Sequence, residues 1–231
     1  MKPVLSIALA ARFTRRTITL PILSLSILAI SLFAMPAYSS GDSEMNTAAI
    51  DPVKIKNIES YLNTLSTARA RFVQTTHSGT QLVGTFYLDR PGKLRFEYDQ
   101  PIEDFVVADG TFIYFYDAEA REQTNAPIGQ TLADFILRRQ LSFDRDLSVV
   151  RYDDRHGLIQ VEVVQTADPG AGSLTLGFEP EPLQLKKWRI VDAQDMITEV
   201  ELFYLKKDVS HPSGLFVYRD PAHGTERRLN R

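Results

Sequence analysis

The stretch Gly84-Thr-Phe-Tyr-Leu-Asp-Arg-Pro-Gly-Lys-Leu-Arg-Phe-Glu-Tyr98 decides the fold. It holds two alternating segments joined by a tight turn at Pro91-Gly92. Phe86, Leu88 and Arg90 share one face of the first segment; Leu94, Phe96 and Tyr98 share one face of the second. Lys93, Arg95, Glu97 and Asp99 fall on the opposite face. A period of two means strands of a sheet with one apolar side and one wet side. Arg90 ends the apolar row, an unusual place for a permanent charge. That pairing predicts an apolar concavity with one polar fixture. A plainer reading stands beside it: Arg90 precedes a proline at a strand end, where an arginine can simply reach solvent.

The same periodicity continues through most of the chain. Strands are expected near Ala68–Thr76, Gln81–Asp89, Lys93–Asp99, Asp104–Ala108, Thr111–Asp117 and Arg121–Asn125, then near Ser148–Asp153, Leu158–Gln165, Ser173–Phe178, Gln184–Asp192, Ile197–Leu205 and Leu215–Tyr218. Turn residues separate them, and Asp109-Gly110 between two apolar runs is the clearest hairpin signal. Short connections imply antiparallel neighbours. About eleven strands in one domain must curl or close.

Two helices interrupt this pattern. Asp51-Pro52 supplies an N-cap and an N1 proline, and Ile55, Ile58, Tyr61, Leu62 and Leu65 follow at helical spacing. This helix is expected to cover one side of the sheet. Thr131 with Asp134 resembles a capping box before Leu132, Phe135, Ile136 and Leu137, and Arg138 and Arg139 suit the far end of a helix dipole. A helix of about ten residues is marginal alone in water. It needs an apolar surface to lie on and could leave that surface cheaply.

The first 39 residues read as a signal peptide. Lys2, Arg12, Arg15 and Arg16 precede an apolar run from Ile18 to Met35, and small residues follow in Ala37-Tyr38-Ser39. The run is near spanning length, so an uncleaved anchor is the alternative. Residues 40–50 read as a flexible lead-in, 51–221 as one domain, and 222–231 as a disordered polar tail. The 231 residues include no cysteine. An exported chain of this kind has no disulfide to lean on and no thiol to acylate. The net charge is −3, and the segment to Ser39 carries basic residues without acidic ones, so the remainder is more acidic still. This excludes nucleic acid as a partner and permanent adhesion to an anionic membrane.

Signals for chemistry are weak. His77, His156, His211 and His223 are isolated near turns or in the tail, without metal-ligand spacing, and read as solvated loop histidines. There is no nucleophile elbow and no phosphate loop. No catalytic residue, metal or cofactor is expected. The aromatic load is the stronger feature: Phe72, Phe86, Phe96, Tyr98, Phe105, Phe112, Tyr114, Phe115 and Tyr116 lie within one stretch. An ordinary sheet core accounts for it; a lined cavity with a lid accounts also for Arg90 and the short apolar helix.

These residues resemble the LolA family of periplasmic lipoprotein carriers. The resemblance rests on Ala70-Arg71-Phe72-Val73-Gln74, on Gly84-Thr85-Phe86 leading to Arg90-Pro91-Gly92-Lys93-Leu94-Arg95-Phe96, on Val107-Ala108-Asp109-Gly110, on Ile113-Tyr114-Phe115-Tyr116-Asp117 and on Gln123-Thr124. It implies a mainly β fold, an incomplete antiparallel barrel of about eleven strands with covering helices and an α-helical lid. Arg90 matches the family's barrel arginine, implied to latch the lid. Phe72, Phe86, Leu88, Leu94, Phe96, Tyr98, Ile113 and Phe115 are implied to line an acyl-chain cavity, with Leu132, Phe135, Ile136 and Leu137 as the lid's apolar face. Leu94 stands where the family carries a functional aromatic. The implied partners are acylated lipoproteins as cargo, an inner-membrane ABC transporter as donor and a LolB-like or other acceptor at the outer membrane, served by a monomer in the periplasm. A carrier of another envelope lipid, or an enzyme acting on envelope lipid or glycan, are the rival readings.

Overall fold

The structure is a computed structural model that describes residues 50–129, 132–155 and 157–221, with the backbone alone at 132–134. The expected signal peptide, most of the lead-in, the cap at Thr131, His156, His223 and the tail lie outside the described residues.

Helix α1 (Pro52–Thr64) starts where the sequence places it. The Asp51 carboxylate accepts from the amides of Val53 at 2.8 Å and Lys54 at 3.5 Å, satisfying donors that the first turn leaves open. The helix buries Ile58, Tyr61 and Leu62 against the sheet.

Eleven strands follow: β1 (Thr67–Thr75), β2 (Gln81–Asp89), β3 (Lys93–Tyr98), β4 (Phe105–Asp109), β5 (Phe112–Asp117), β6 (Glu122–Pro127), β7 (Leu147–Asp153), β8 (Ile159–Gln165), β9 (Gly172–Pro180), β10 (Leu183–Asp192) and β11 (Ile197–Lys207). They form one sheet in the order β6-β5-β4-β3-β2-β1-β11-β10-β9-β8-β7. Every pair is antiparallel. The first and last strands of the sheet, β6 and β7, do not pair with each other, so the sheet is open. The expected mainly β architecture of about eleven strands is what the chain adopts.

Register follows from the turns. The Arg90–Gly92 turn pairs Leu88 with Leu94, Phe86 with Phe96 and Gly84 with Tyr98. One inward row results, because opposite residues share a face. Gly84 is a glycine for a local reason. A Cβ there would meet the Glu97 carbonyl oxygen at 2.1 Å and the Phe72 ring at 2.6 Å. Phe72 lies across it and packs edge-on against Phe96 and Tyr98.

Three expectations need correction. The segment Leu132–Leu137 is a six-residue 3-10 helix and not an α-helix of ten. Phe135, Ile136 and Leu137 are all buried. In a helix of three residues per turn, consecutive side chains point about 120° apart, so Phe135, Ile136 and Leu137 are enclosed from several directions. The expected strand Leu215–Tyr218 is a run of turns and loop. Phe216 packs on His211 and Tyr218 stacks on Tyr114, and no neighbouring strand pairs with the segment. His211 itself is not a solvated loop histidine. Its Nε2 lies 2.9 Å from the carbonyl oxygen of Leu88 and its ring meets Tyr87 edge-on.

Candidate functional site

The inner surface of the sheet is apolar because its strands alternate. Ala68, Ala70 and Phe72 from β1, Phe86 and Leu88 from β2, Leu94 and Tyr98 from β3, and Val106 and Ala108 from β4 are all buried there. Trp188 of β10 joins them from a distant part of the chain. Its ring lies edge-on to Phe86 at 5.9 Å, Phe96 at 6.3 Å and Phe135 at 6.1 Å.

A hollow of about 70 Å³ remains, lined by Leu94, Phe96, Tyr98, Ile113, Phe115 and Ile136, together with Gln74, Val106, Trp188, Ile190, Thr198 and Val200. This is far below the roughly 300–1,000 Å³ of a typical ligand pocket. The reason is the Leu132–Leu137 segment, whose Phe135 and Ile136 occupy the space the sheet leaves. Of the cavity residues expected from the sequence, Phe72, Phe86 and Leu88 are packed solidly behind this lining. The side chain of Leu132 lies outside the described residues. Val106, Trp188, Gln74, Ile190, Thr198 and Val200 were not anticipated; each lies on an expected strand, but nothing in the sequence reports which distant strands close on β3.

Arg90 sits at the end of the inward row and is half-buried. Its Nε donates to the carbonyl oxygen of Arg138 at 2.8 Å, and Nη2 donates to the same oxygen. Nη1 donates to the carbonyl oxygens of Leu62 and, at 3.3 Å, Leu65, at the C-terminal end of α1. One guanidinium therefore joins the helix, the sheet and the residue directly after the 3-10 segment. A cation at a helix C-terminus also faces the negative end of its dipole. Burial pulls the guanidinium below the usual arginine value, yet an arginine keeps its charge at neutral pH. Beside it the amide of Gly92 donates to the carbonyl of Leu137 at 2.9 Å, and that of Arg90 to Ser66 at 2.8 Å.

The chain that follows is tied to α1. Asn63 forms a two-way bridge with the backbone of Leu141, donating from Nδ2 at 3.0 Å and accepting at Oδ1 at 2.8 Å. The carboxylate of Glu59 accepts from the amide of Phe143 at 3.1 Å. These ties use polar residues on the exposed flank of an amphipathic helix, which a periodicity argument assigns to solvent.

A second groove, of about 630 Å³, lies between the stretch Val209–Val217 and the ends of the first four strands, with Thr67, Asp89, Lys93 and Asp109 among its walls. It is separate from the apolar hollow and shares none of its lining. Among the described residues no group of acidic, histidine or cysteine side chains could hold a metal ion.

The chain has relatives among known proteins. An outer-membrane lipoprotein carrier protein from Methylibium petroleiphilum is 27% identical over 176 residues, 73% of this chain and 86% of its own. One from Methylobacillus flagellatus is 26% identical over 178 residues, covering 73% and 85% of the two chains. Among solved structures, a LolA superfamily protein from Nitrosomonas europaea aligns over 71% of this chain and 97% of its own, at 8% identity and a TM-score of 0.43. MucB aligns over 72% and 63%, at 11% identity and a TM-score of 0.42. The sequence profile described as outer membrane lipoprotein carrier protein LolA matches residues 63–219, and the chain belongs to that family.

Proposed function

We propose that this protein is a periplasmic carrier that takes the acyl chains of lipoproteins released from the inner membrane and hands them to an acceptor at the outer membrane. The observation that supports the reading is the packing of a short segment, through Phe135, Ile136 and Leu137, into the apolar inner surface of the sheet. Burying Phe135, Ile136 and Leu137 contributes about 1.5–3 kcal/mol each. An acyl chain gains about 0.8 kcal/mol per buried methylene. One chain of roughly ten methylenes is therefore a match for the three side chains it displaces. Closed and loaded states then lie within a few kcal/mol, which is what a carrier that must both load and release requires.

Arg90 supplies the latch. Its bonds go to backbone carbonyls and not to carboxylates, so opening exchanges them for lipid or water oxygens without stranding a buried counter-charge. The cargo would come from an inner-membrane ABC transporter, and the carrier would act as a monomer without catalysis or cofactor. Depletion of the protein in cells tests this: outer-membrane lipoproteins should accumulate at the inner membrane. Their normal arrival at the outer membrane would refute the reading.

A further inference from the structure

Resting on that carrier reading, we propose that Gln74 and Tyr98 form a carbonyl-binding site within the hollow, which takes the ester carbonyl of an acyl glyceride. Among the described residues only Gln74, Ser142 and Asp192 are buried polar or charged side chains. Two of these serve local turns: Ser142 donates to Asp144, and Asp192 accepts from the amides of Gln194 and Met196. Gln74 has no such duty. It is 5% exposed, lies in mid-strand on β1, and lines the hollow. The one partner of its side chain among the described residues is Tyr98, 8% exposed, whose hydroxyl donates to Oε1 at 2.8 Å.

A donor count shows what the pair lacks. A glutamine amide brings two N–H donors and a tyrosine one O–H. With Tyr98 donating to Gln74, both amide hydrogens are unspent. With the amide turned over, Nε2 donates to the tyrosine oxygen, and one N–H and the O–H are unspent. Either assignment leaves two donors and an apolar surround. Among the described residues the buried side-chain polar atoms without a partner are Gln123 Nε2 and Tyr218 Oη, so the amide of Gln74 opens on the space of the hollow, and the ligand that uses its donors there is an acceptor without a hydrogen of its own. The remaining lining is apolar apart from Thr198, which excludes a charged group as the preferred guest. An ester carbonyl meets both conditions.

Placement fits as well. Tyr98 pairs with Gly84, whereas Arg90 lies six residues further along β2, about 20 Å away at roughly 3.3 Å per residue. Phe86 and Leu88 fill the interval. The donors of Arg90 are committed to the carbonyls that hold the hollow shut, so the pair at the other end is the one with capacity to spare. An acyl chain lying along the row toward Arg90 has its carbonyl at Gln74 and Tyr98.

Ester carbonyls come from acylated protein or from glycerophospholipid, and two probe pairs separate them. One is a peptide bearing S-diacylglyceryl cysteine, compared with its dialkyl ether analogue. The other is a diacyl glycerophospholipid, compared with its dialkyl ether counterpart. Competition binding to the wild-type protein should favour the ester member by about tenfold. The Gln74→Leu/Tyr98→Phe double variant removes both groups together, so neither is stranded. It should lose the preference and bind the ester and ether members of each pair alike. A preference in both pairs supports the site and makes any acyl glyceride its guest; a preference in the peptide pair alone supports it for acylated protein. Equal binding of ester and ether probes by the wild type overturns the site and spares the carrier reading, and that comparison needs no variant. Failure of the wild type to bind any of the four probes removes both.

Discussion

Arg90 and Arg138, 48 residues apart in the chain, meet through one atom: the carbonyl oxygen of Arg138 accepts from both Nε and Nη2 of Arg90. The acceptor belongs to the backbone immediately after the buried Phe135–Leu137 triplet. Pulling that triplet out of the hollow therefore requires breaking this contact. Hydrogen bonds from a charged donor contribute about 1.5–3 kcal/mol each. Arg90→Leu should fold, because leucine fits the apolar row, but its 132–143 segment should exchange amide hydrogens at least tenfold faster than in the wild type. The same variant should transfer lipoprotein poorly in a reconstituted assay. Unchanged exchange together with normal transfer would remove the latch.

Much of this arrangement was legible because strand alternation and turn chemistry are local. The Arg90–Gly92 turn fixes the register of β2 on β3, and that register puts Phe86, Leu88, Leu94 and Tyr98 on one surface before any tertiary contact is considered. Which carbonyls take the Arg90 bonds was not legible, since a backbone carbonyl has no side-chain signature. Nor was the bridge between Asn63 and Leu141, which turns a helix residue assigned to solvent into an anchor. The 3-10 geometry of Leu132–Leu137 escaped for a related reason. Its conformation is set by the cavity it fills, and apolar spacing alone suggests an ordinary helix. Leu215–Tyr218 misled in the other direction. A short apolar run is compatible with a strand, and a strand additionally needs an edge to pair with.

The chain has a single tryptophan, and it lies against the segment that occupies the hollow. Trp188 should therefore report occupancy directly. Adding a long-chain acyl probe should displace Phe135 from the indole and change its emission in a saturable way. Phe135→Ala removes a ring that fills the closed state, at a cost of about 3–5 kcal/mol if the site cannot collapse. That variant should show altered emission before any lipid is added and should bind the probe more tightly than the wild type. Weaker binding would mean that Phe135 serves the loaded state and not the closed one.

Gly84 tests how tightly the inner wall is built. A methyl group at this position would approach the Glu97 carbonyl at 2.1 Å and press on the Phe72 ring, and neither neighbour is a flexible chain end. Overpacking of a close-packed interior costs about 1–3 kcal/mol. Gly84→Ala should lower the melting temperature by several degrees, and Phe72→Leu in the same chain should recover part of the loss by removing the ring. A Gly84→Ala protein as stable as the wild type would show that the β2–β3 pair can shift to make room.

Asp109 sets the turn between β4 and β5, its Oδ1 accepting from the amides of Thr111 at 2.8 Å and Phe112 at 3.0 Å. Partial burial pushes its carboxyl up, but the amides of Phe112 and Thr111, with the hydroxyl of Tyr114, outweigh that and hold it below the usual carboxylate value. A carboxyl depressed in the folded state adds stability above its unfolded value, near 3.9 for aspartate, and loses it as the pH falls through the folded value. The amide side chain of an Asp109→Asn variant would keep an oxygen for the turn yet carry no charge. The variant should melt below the wild type at pH 7, and the gap should begin to narrow as the pH drops below about 4 and close once the pH is below the folded value, where both side chains are neutral. The site is largely open to solvent, so the gap at pH 7 should be small and should shrink further with added salt. A gap that stays constant from pH 7 to pH 3 would assign the difference to shape and not to charge.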